Sequence, residues 1–392
     1  MLDGLARLRE GHLTVRLPDG ELRELGDLRA AEHVTLHVLD DQFFVRVLTT
    51  GEVGAGDAYM DGLWRADDLA LLVRLFVRNL EWIDFDSPLA RVGQLASLVA
   101  HKLRKNSRAG SRSNIRAHYD LGNDFYRLFL DHSMAYSCAI FADGDDLERA
   151  QQRKFDTICE KLGLRPSDHL LEIGSGWGGF AVHAARTRGC RVTTVTVSRE
   201  QERLARDRVA LAGLSGRVQV EFRDYRDIRG DGSFDKIVSI EMFEAVGPEY
   251  WGAYFGKCAA LLRANGLMLL QTISMPEQRF HRYRRNVDWT QKHIFPGAVI
   301  PSLEGIVRAT GAASDLSVHH LEDIGRHYAP TLRAWRERFF ARIDEVRALG
   351  FDDRFLRMWE MYLCFSEAAF AERTLGDLQI LLTRPKNRAL TW

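Results

Sequence analysis

Gly174-Ser175-Gly176-Trp177-Gly178-Gly179 follows HLLEIGS, a run with strand character, and opens GGFAVHAARTR, a run with helix character. Glycines at such a turn let the backbone tighten and let a ligand approach it closely, as nucleotide-like cofactors require. The spacing also satisfies G-x-G-x-x-G, so a nicotinamide dinucleotide has to be weighed. Those sites hold the ribose with a carboxylate near the end of the second strand. Here the second strand ends Val195-Thr196-Val197-Ser198 and contains no acid. The carboxylates lie elsewhere: Glu172, two residues before the first glycine, and Asp224 in the third-strand segment EFRDY.

An E-x-G-x-G loop, an acid-free second strand and a later strand ending in Asp together resemble class I methyltransferases. The resemblance implies S-adenosylmethionine, a cofactor with an amino-acid end and an adenosine but no pyrophosphate. The backbone of Gly174, Gly176 and Gly178 would pack against it. Glu172 and Asp224 would be carboxylates available to its ammonium and adenine donors.

The surrounding elements give this loop its place. From about His118, strand-like RVTTVTVS, VQVEFRDY, FDKIVSIEMF and LMLLQTISM alternate with helix-like REQERLARDRVALAGL and YWGAYFGKCAALLRANG. Such alternation specifies βαβ units on a parallel sheet, an α/β Rossmann-like domain. The tail, APTLRAWRERFFARIDEVRALG and RFLRMWEMYLCFSEAAF, has helical spacing. Before the α/β region, HLTVRLPDGELREL predicts a hairpin turning at Asp19-Gly20. HVTLHVLD and QFFVRVLTT continue as strands, and AYMDGLWRADDLALLVRLFVRNLEWI is helical. The expected organisation is a small α+β domain over 1–88, a basic amphipathic helix and linker over 89–116, and the catalytic domain with inserted helices over 117–392. The 89–116 stretch reads either as a solvated helix with a connector or as an interfacial helix drawn to anionic lipid.

Bulk composition narrows the function class. The 392 residues carry 54 basic and 54 acidic side chains, so no global field points to nucleic acid, and none is expected as a partner. The five cysteines form no C-x-x-C or Cys/His cluster, which argues against zinc or a disulfide framework. No apolar run approaches the roughly 20 residues of a membrane-spanning helix, and no secretory leader is evident.

Longer strings carry a more specific resemblance. AHYDLGNDFYRLFLDHSMAYSCAIF, LLEIGSGWGGFA, SIEMFEAVG, HIFPGAVIPS and RHYAPTLRAW, in that order, resemble the cyclopropane-fatty-acyl-phospholipid synthase family and its mycolic-acid relatives from about residue 50 to the C-terminus. The family methylates the cis double bond of a lipid acyl chain. By this resemblance Tyr136 and Ser137 contact the methionine part of the cofactor. Thr196 and Gln201 reach its ribose and amino acid, and Asp224 or Tyr225 lies near the adenine. Methyl transfer to an alkene leaves a carbocation, which water must not reach. Tyr119, Phe125, Tyr126, Phe141, Trp335 and Trp359 are aromatic faces that could stabilise it, or simply core. The resemblance also implies a bound bicarbonate as the base, held by Cys138, Glu244, Tyr328 and a residue in Gln271-Thr272-Ile273, where the family's histidine is replaced by Gln271.

Taken singly, Cys138 could be a buried small hydrophobe, Glu244 a helix cap and Tyr328 core. Their joint occurrence within family strings assigns them to the site. The resemblance leaves two products open, a cyclopropane or a methylene- or methyl-branched chain, and a small-molecule methyltransferase of the same fold is the rival reading. It further implies an unsaturated phospholipid or fatty acyl substrate, cytoplasmic placement with peripheral contact at an anionic inner membrane face, and a homodimer.

Overall fold

The computed structural model describes residues 5–82 and 121–388. The 89–116 stretch and Tyr119 lie outside them. The chain forms two compact units. The first gathers residues 5–82 with 281–296 and 332–375; the second holds 121–280, 297–331 and 376–388. The helices of 332–375, expected within the C-terminal domain, thus group with the N-terminal segment.

In the first unit β1 (His12–Arg16) and β2 (Leu22–Gly26) form the expected hairpin. Gly20 at φ +91° makes the turn, and the Asp19 side chain accepts from the Glu21 N–H at 2.9 Å. β3 (His33–Val38) lies parallel to β1 and antiparallel to β4 (Trp64–Ala66). QFFVRVLTT is not a strand: Gln42–Thr50 is an α-helix. A strand would send Phe43, Val45 and Val47 to one face, whereas Phe43 and Val47 are buried and Val45 is 60% exposed. The one-turn periodicity of burial outweighs the β-branched content. The long helical run that follows is also divided, into Glu52–Met60 and Leu69–Arg78, with Gly62 at φ +75° and β4 between them.

The 19-residue helix Asp353–Ala371 packs on Leu69–Arg78. Glu372 just beyond it receives Arg74 and Arg78, each at 2.9 Å, and Tyr59 donates to Glu360 at 2.6 Å. Glu367, almost wholly buried, is held by Arg333 and Arg336. Trp335 and Trp359 are buried within this unit, as core residues are.

The second unit is a seven-stranded sheet with helices, the class I methyltransferase fold. Its strands are β5 (His169–Ile173), β6 (Arg191–Thr196), β7 (Val218–Phe222), β8 (Phe234–Ile240), β9 (Leu262–Ser274), β10 (Ser317–Asp323) and β11 (Gly376–Thr383), in the spatial order β10-β11-β9-β8-β5-β6-β7. β9, β8, β5, β6 and β7 are mutually parallel; β11 runs antiparallel to β9 and β10. The parallel strands read clearly in the sequence because Leu170, Val192, Val238 and Leu269 bury among Phe180, Ala184 and Val209 of the covering helices. β10 and β11 carry no such signal. Every residue of β10 is exposed, so it shows no apolar alternation, and β11 is a short apolar run without helical or alternating period. All five cysteines are buried free thiols.

Candidate active site

Strand order reverses at β5, which lies between β6 and β8. Ligands of open α/β sheets bind beyond the strand ends at such a switch point. The glycine loop follows β5 directly. Gly174 has φ +96°, and a Cβ there would come within 3.1 Å of the Met242 side chain in the turn after β8. Gly178 has φ +83°, and a Cβ there would meet Ala205 at 3.0 Å. Gly176, by contrast, has nothing within 4 Å of its absent Cβ, so the middle of the loop borders open space. Trp177 anchors the loop: its indole donates to Asn123 at 2.6 Å, and its ring stands 4.9 Å from Tyr126. Tyr126 in turn lies 5.5 Å from Tyr136, which ties the YSC segment to the cradle.

The residues expected around the cofactor are distributed as follows. Glu172 is 2% exposed, and its Oε2 has no hydrogen-bond partner. Burial pushes its carboxyl up to about 8. An orphaned buried carboxyl beside a glycine cradle fits a cationic group such as the ammonium of S-adenosylmethionine. Thr196 donates to the Gln201 side chain at 2.8 Å, and both are buried. Asp224 is gripped by the Arg226 guanidinium at 2.8 and 2.6 Å, while Tyr225 meets Tyr254 edge-on at 5.3 Å. Ser137 accepts from Lys154 Nζ at 2.6 Å.

A second group forms where the turn after β8 meets β9 and β11. Glu241 adopts φ +48°, a conformation that favours glycine and costs a side-chain-bearing residue about 1–2 kcal/mol. Strain of this kind is kept where surrounding contacts hold it in place. Glu241 Oε1 accepts the Cys138 backbone N–H at 2.8 Å and Gln271 Nε2 at 2.9 Å, and Oε2 accepts the Tyr328 hydroxyl at 2.5 Å. Gln271 Nε2 also donates to Asp377 at 3.0 Å, and its Oε1 accepts from Gln379 at 3.0 Å. Glu244 Oε1 accepts the Ile273 N–H at 2.6 Å and the Thr272 hydroxyl at 2.9 Å; its Oε2 is buried without a partner. Cys138, Gln271 and Tyr328 therefore meet at one carboxylate, and Ile273 meets Glu244.

The electrostatics follow from burial. Desolvation, then the neighbouring Glu241 charge, pushes Glu244 up to about 8. Desolvation also raises Glu241 and Asp377, and Lys154 opposes both shifts. The Cys138 thiol is raised well above its usual range by burial, so it stays protonated and offers its backbone N–H rather than a thiolate. Lys154 is itself lowered by burial. Sequence reasoning missed Glu241, Lys154 and Asp377. Glu241 was visible as a second acid three residues before Glu244. Lys154 was visible as a cation on the buried stripe Ala150–Lys154–Ile158 of its helix. Asp377 had no local signal.

The family model described as mycolic acid cyclopropane synthetase matches residues 106–380. Among curated relatives, the tuberculostearic acid methyltransferase UfaA1 of Mycobacterium tuberculosis is 40% identical, over 97% of this chain and 90% of its own. The cyclopropane-fatty-acyl-phospholipid synthase of Escherichia coli is 38% identical, over 89% of this chain and 87% of its own. Among solved structures, mycolic acid cyclopropane synthase CmaA1 complexed with SAH and CTAB superposes with a TM-score of 0.65 at 31% identity, covering 70% of this chain and 98% of that one. With its methyltransferase sheet, glycine cradle and these relatives, the chain belongs to the cyclopropane-fatty-acyl-phospholipid and mycolic acid cyclopropane synthase family, and is an S-adenosylmethionine-dependent methyltransferase that modifies lipids.

Proposed function

We propose that this enzyme methylates the cis double bond of unsaturated phospholipid acyl chains and closes the product to a cyclopropane. The observation that carries this reading is a buried acid cluster set against a cofactor cradle, with the Met242 side chain only 3.1 Å from the place of a Gly174 Cβ. The alkene π electrons form a bond to the sulfonium methyl, and the methyl–sulfur bond breaks toward S-adenosylhomocysteine. Loss of a proton from the transferred methyl lets its C–H electrons close the ring. Glu172, Gly174, Gly176 and Gly178 would hold the cofactor with Tyr136, Ser137, Thr196 and Gln201, while Asp224 and Tyr225 lie toward the adenine. Phe125 and Tyr126, both fully buried, would help keep water from the cation.

A second product reading, a methyl- or methylene-branched chain, is favoured by the relative whose name specifies methyl transfer to give tuberculostearic acid. A saturated methyl branch is heavier than a cyclopropane by two hydrogens, but a methylene branch and a cyclopropane each add one CH₂, so mass does not distinguish those two. Proton NMR of lipid after incubation with S-adenosylmethionine and mono-unsaturated phospholipid vesicles does: a ring gives far-upfield protons and an exocyclic methylene gives olefinic ones. Unmodified acyl chains would exclude both.

The finer expectation of a bicarbonate base among Cys138, Glu244, Gln271 and Tyr328 does not fit the donors present, because Glu241 already takes those of Cys138, Gln271 and Tyr328. Glu244 remains a neighbour able to share the abstracted proton. Glu244→Gln is expected to bind S-adenosylmethionine normally by calorimetry and to lose turnover about 10²-fold; undiminished turnover would remove Glu244 from the chemistry.

Among the described residues no helix is long and apolar enough to cross a membrane. Access to phospholipid is proposed from the cytoplasmic side, through peripheral contact of the basic 89–116 segment with anionic headgroups, with a homodimer supplying two such contacts. Co-sedimentation with phosphatidylglycerol vesicles should weaken steeply as salt rises, and salt-independent binding would count against this route.

A further inference from the structure

We propose that the Glu241 carboxylate is the built-in base of this enzyme, replacing the bicarbonate that the family resemblance implies. The inference rests on the methylation reading above and identifies the atom that receives the proton.

Three observations converge on it. First, the groups that should cradle a small oxyanion do cradle one, but it is covalently part of the chain. The Cys138 N–H, the Gln271 amide and the Tyr328 hydroxyl all donate to Glu241, at 2.8, 2.9 and 2.5 Å. Second, no donor capacity is left over at Gln271. Its other N–H lies toward Asp377 at 3.0 Å, and its carbonyl accepts from Gln379. A bicarbonate at this place would add a further negative charge to a cluster that already holds three acids, Glu241, Glu244 and Asp377, with Lys154 opposing the shifts of Glu241 and Asp377. Third, Glu241 occupies a left-handed backbone position, φ +48°, that a glycine would fill without strain. A glutamate held there against its backbone preference points to a role for its side chain.

The step balances without a co-reactant beyond the two substrates. Once the methyl–sulfur bond has broken and S-adenosylhomocysteine has left with the electron pair, a C–H bond of the new methyl group breaks. Its electrons form the second ring bond to the cationic carbon, and its proton passes to a Glu241 oxygen. Glu241 becomes a neutral acid, still hydrogen-bonded by its neighbours, and returns the proton to solvent before the next turnover. Burial raises this carboxyl above its usual range, which makes it a stronger acceptor than an exposed glutamate. Tyr328, Gln271 and the Cys138 amide act as positioning groups, and Lys154 opposes the upward shift.

The decisive measurement compares wild type, Glu241→Gln and Glu241→Gly in buffer stripped of carbon dioxide, then with sodium bicarbonate restored, using S-adenosylmethionine and mono-unsaturated phosphatidylglycerol vesicles. Wild-type turnover is expected to be unchanged by bicarbonate. Glu241→Gln keeps the shape but not the basicity; it should lose activity about 10²–10⁴-fold with or without the ion. Glu241→Gly suits the backbone and frees the Cys138, Gln271 and Tyr328 donors; it should be inactive in stripped buffer and recover with bicarbonate. Cofactor binding and thermal melting establish that each variant is folded, and if the glycine variant does not fold, wild type and Glu241→Gln decide the matter.

A second readout needs no turnover. ¹³C-bicarbonate NMR line broadening should be absent with wild type and present with Glu241→Gly. Bicarbonate-dependent wild-type turnover, ion binding by wild type, or an active Glu241→Gln would each overturn the inference. Wild type that transfers no methyl group to lipid would instead refute the functional reading, while the NMR arm would still test the Glu241 site.

Discussion

Lys154→Met is expected to destabilise the protein by about 3–5 kcal/mol, because removing one partner of a buried charged group leaves the others uncompensated. Lys154 is 0% exposed, donates to Ser137 at 2.6 Å and sits 4.7 Å from the Phe155 ring. It is the cation that opposes the upward shifts of Glu241 and Asp377. Methionine fills a similar volume, so packing loss is small and the cost is electrostatic. Without the ammonium both carboxyls shift further up. The acid limb of the pH–rate profile should therefore move to higher pH, as a larger share of Glu241 becomes protonated and unable to accept. Adding Asp377→Asn should return part of the lost stability, and a double-mutant cycle measures that coupling. A chemical denaturation midpoint equal to wild type, or an acid limb that stays in place, would show that the lysine is not coupled to these acids.

How much of this site was legible beforehand depends on how each residue reaches it. The cradle was readable because a single turn builds it: β5, three glycines and a helix are contiguous, so spacing alone implies shape. Cys138, Gln271 and Tyr328 were reachable only through family strings, yet they do meet, all three at Glu241. Glu241 stands in SIEMFE, but the resemblance points to Glu244, and nothing in a one-dimensional pattern says which of two nearby acids turns toward the donors. Backbone conformation decides that, and φ +48° is not encoded in a glutamate's propensity. Asp377 arrives from the far end of the chain on β11, where it pairs in register with Ile273 of β9. An antiparallel strand inserted between β10 and β9 has no local signature for its partners. In the first unit the Gln42–Thr50 helix is hidden in the sequence for a related reason. Phe-Phe-Val-Arg-Val favours a strand by composition, and only the burial of Phe43 and Val47 one turn apart reveals the helix.

The acid cluster also sets the pH dependence of folding, with a sign opposite to that of most salt-bridged proteins. Glu172 and Glu244 are each pushed from an ordinary 4.5 up to about 8 by burial. Between those values the folded state holds protons that the unfolded state has lost. This contribution is therefore fully present below about pH 4.5 and is lost as pH rises toward 8, by roughly 5 kcal/mol for each of the two groups, since a tenfold difference in proton affinity between the two states is worth about 1.4 kcal/mol. Carboxylates elsewhere with lowered values, such as Asp57 beside Lys292 and His293, act in the opposite sense, but their contribution is complete once pH exceeds the ordinary carboxylate range. Melting of the cofactor-free protein should thus occur at progressively lower temperature from about pH 5.5 to about pH 8, where the raised acids dominate the slope. Glu172→Gln and Glu244→Gln remove one titration each, so each should flatten the slope and leave the variant more stable than wild type at the alkaline end. S-adenosylmethionine should discriminate between them. If its ammonium satisfies Glu172, the cofactor stabilises wild type and Glu244→Gln more at about pH 8 than at about pH 5.5, whereas Glu172→Gln shows no such increase. A melting temperature that rises across this range would mean that these two carboxyls are ionised in the folded protein, and a cofactor effect that is independent of pH would mean that cofactor binding does not change the ionisation of Glu172.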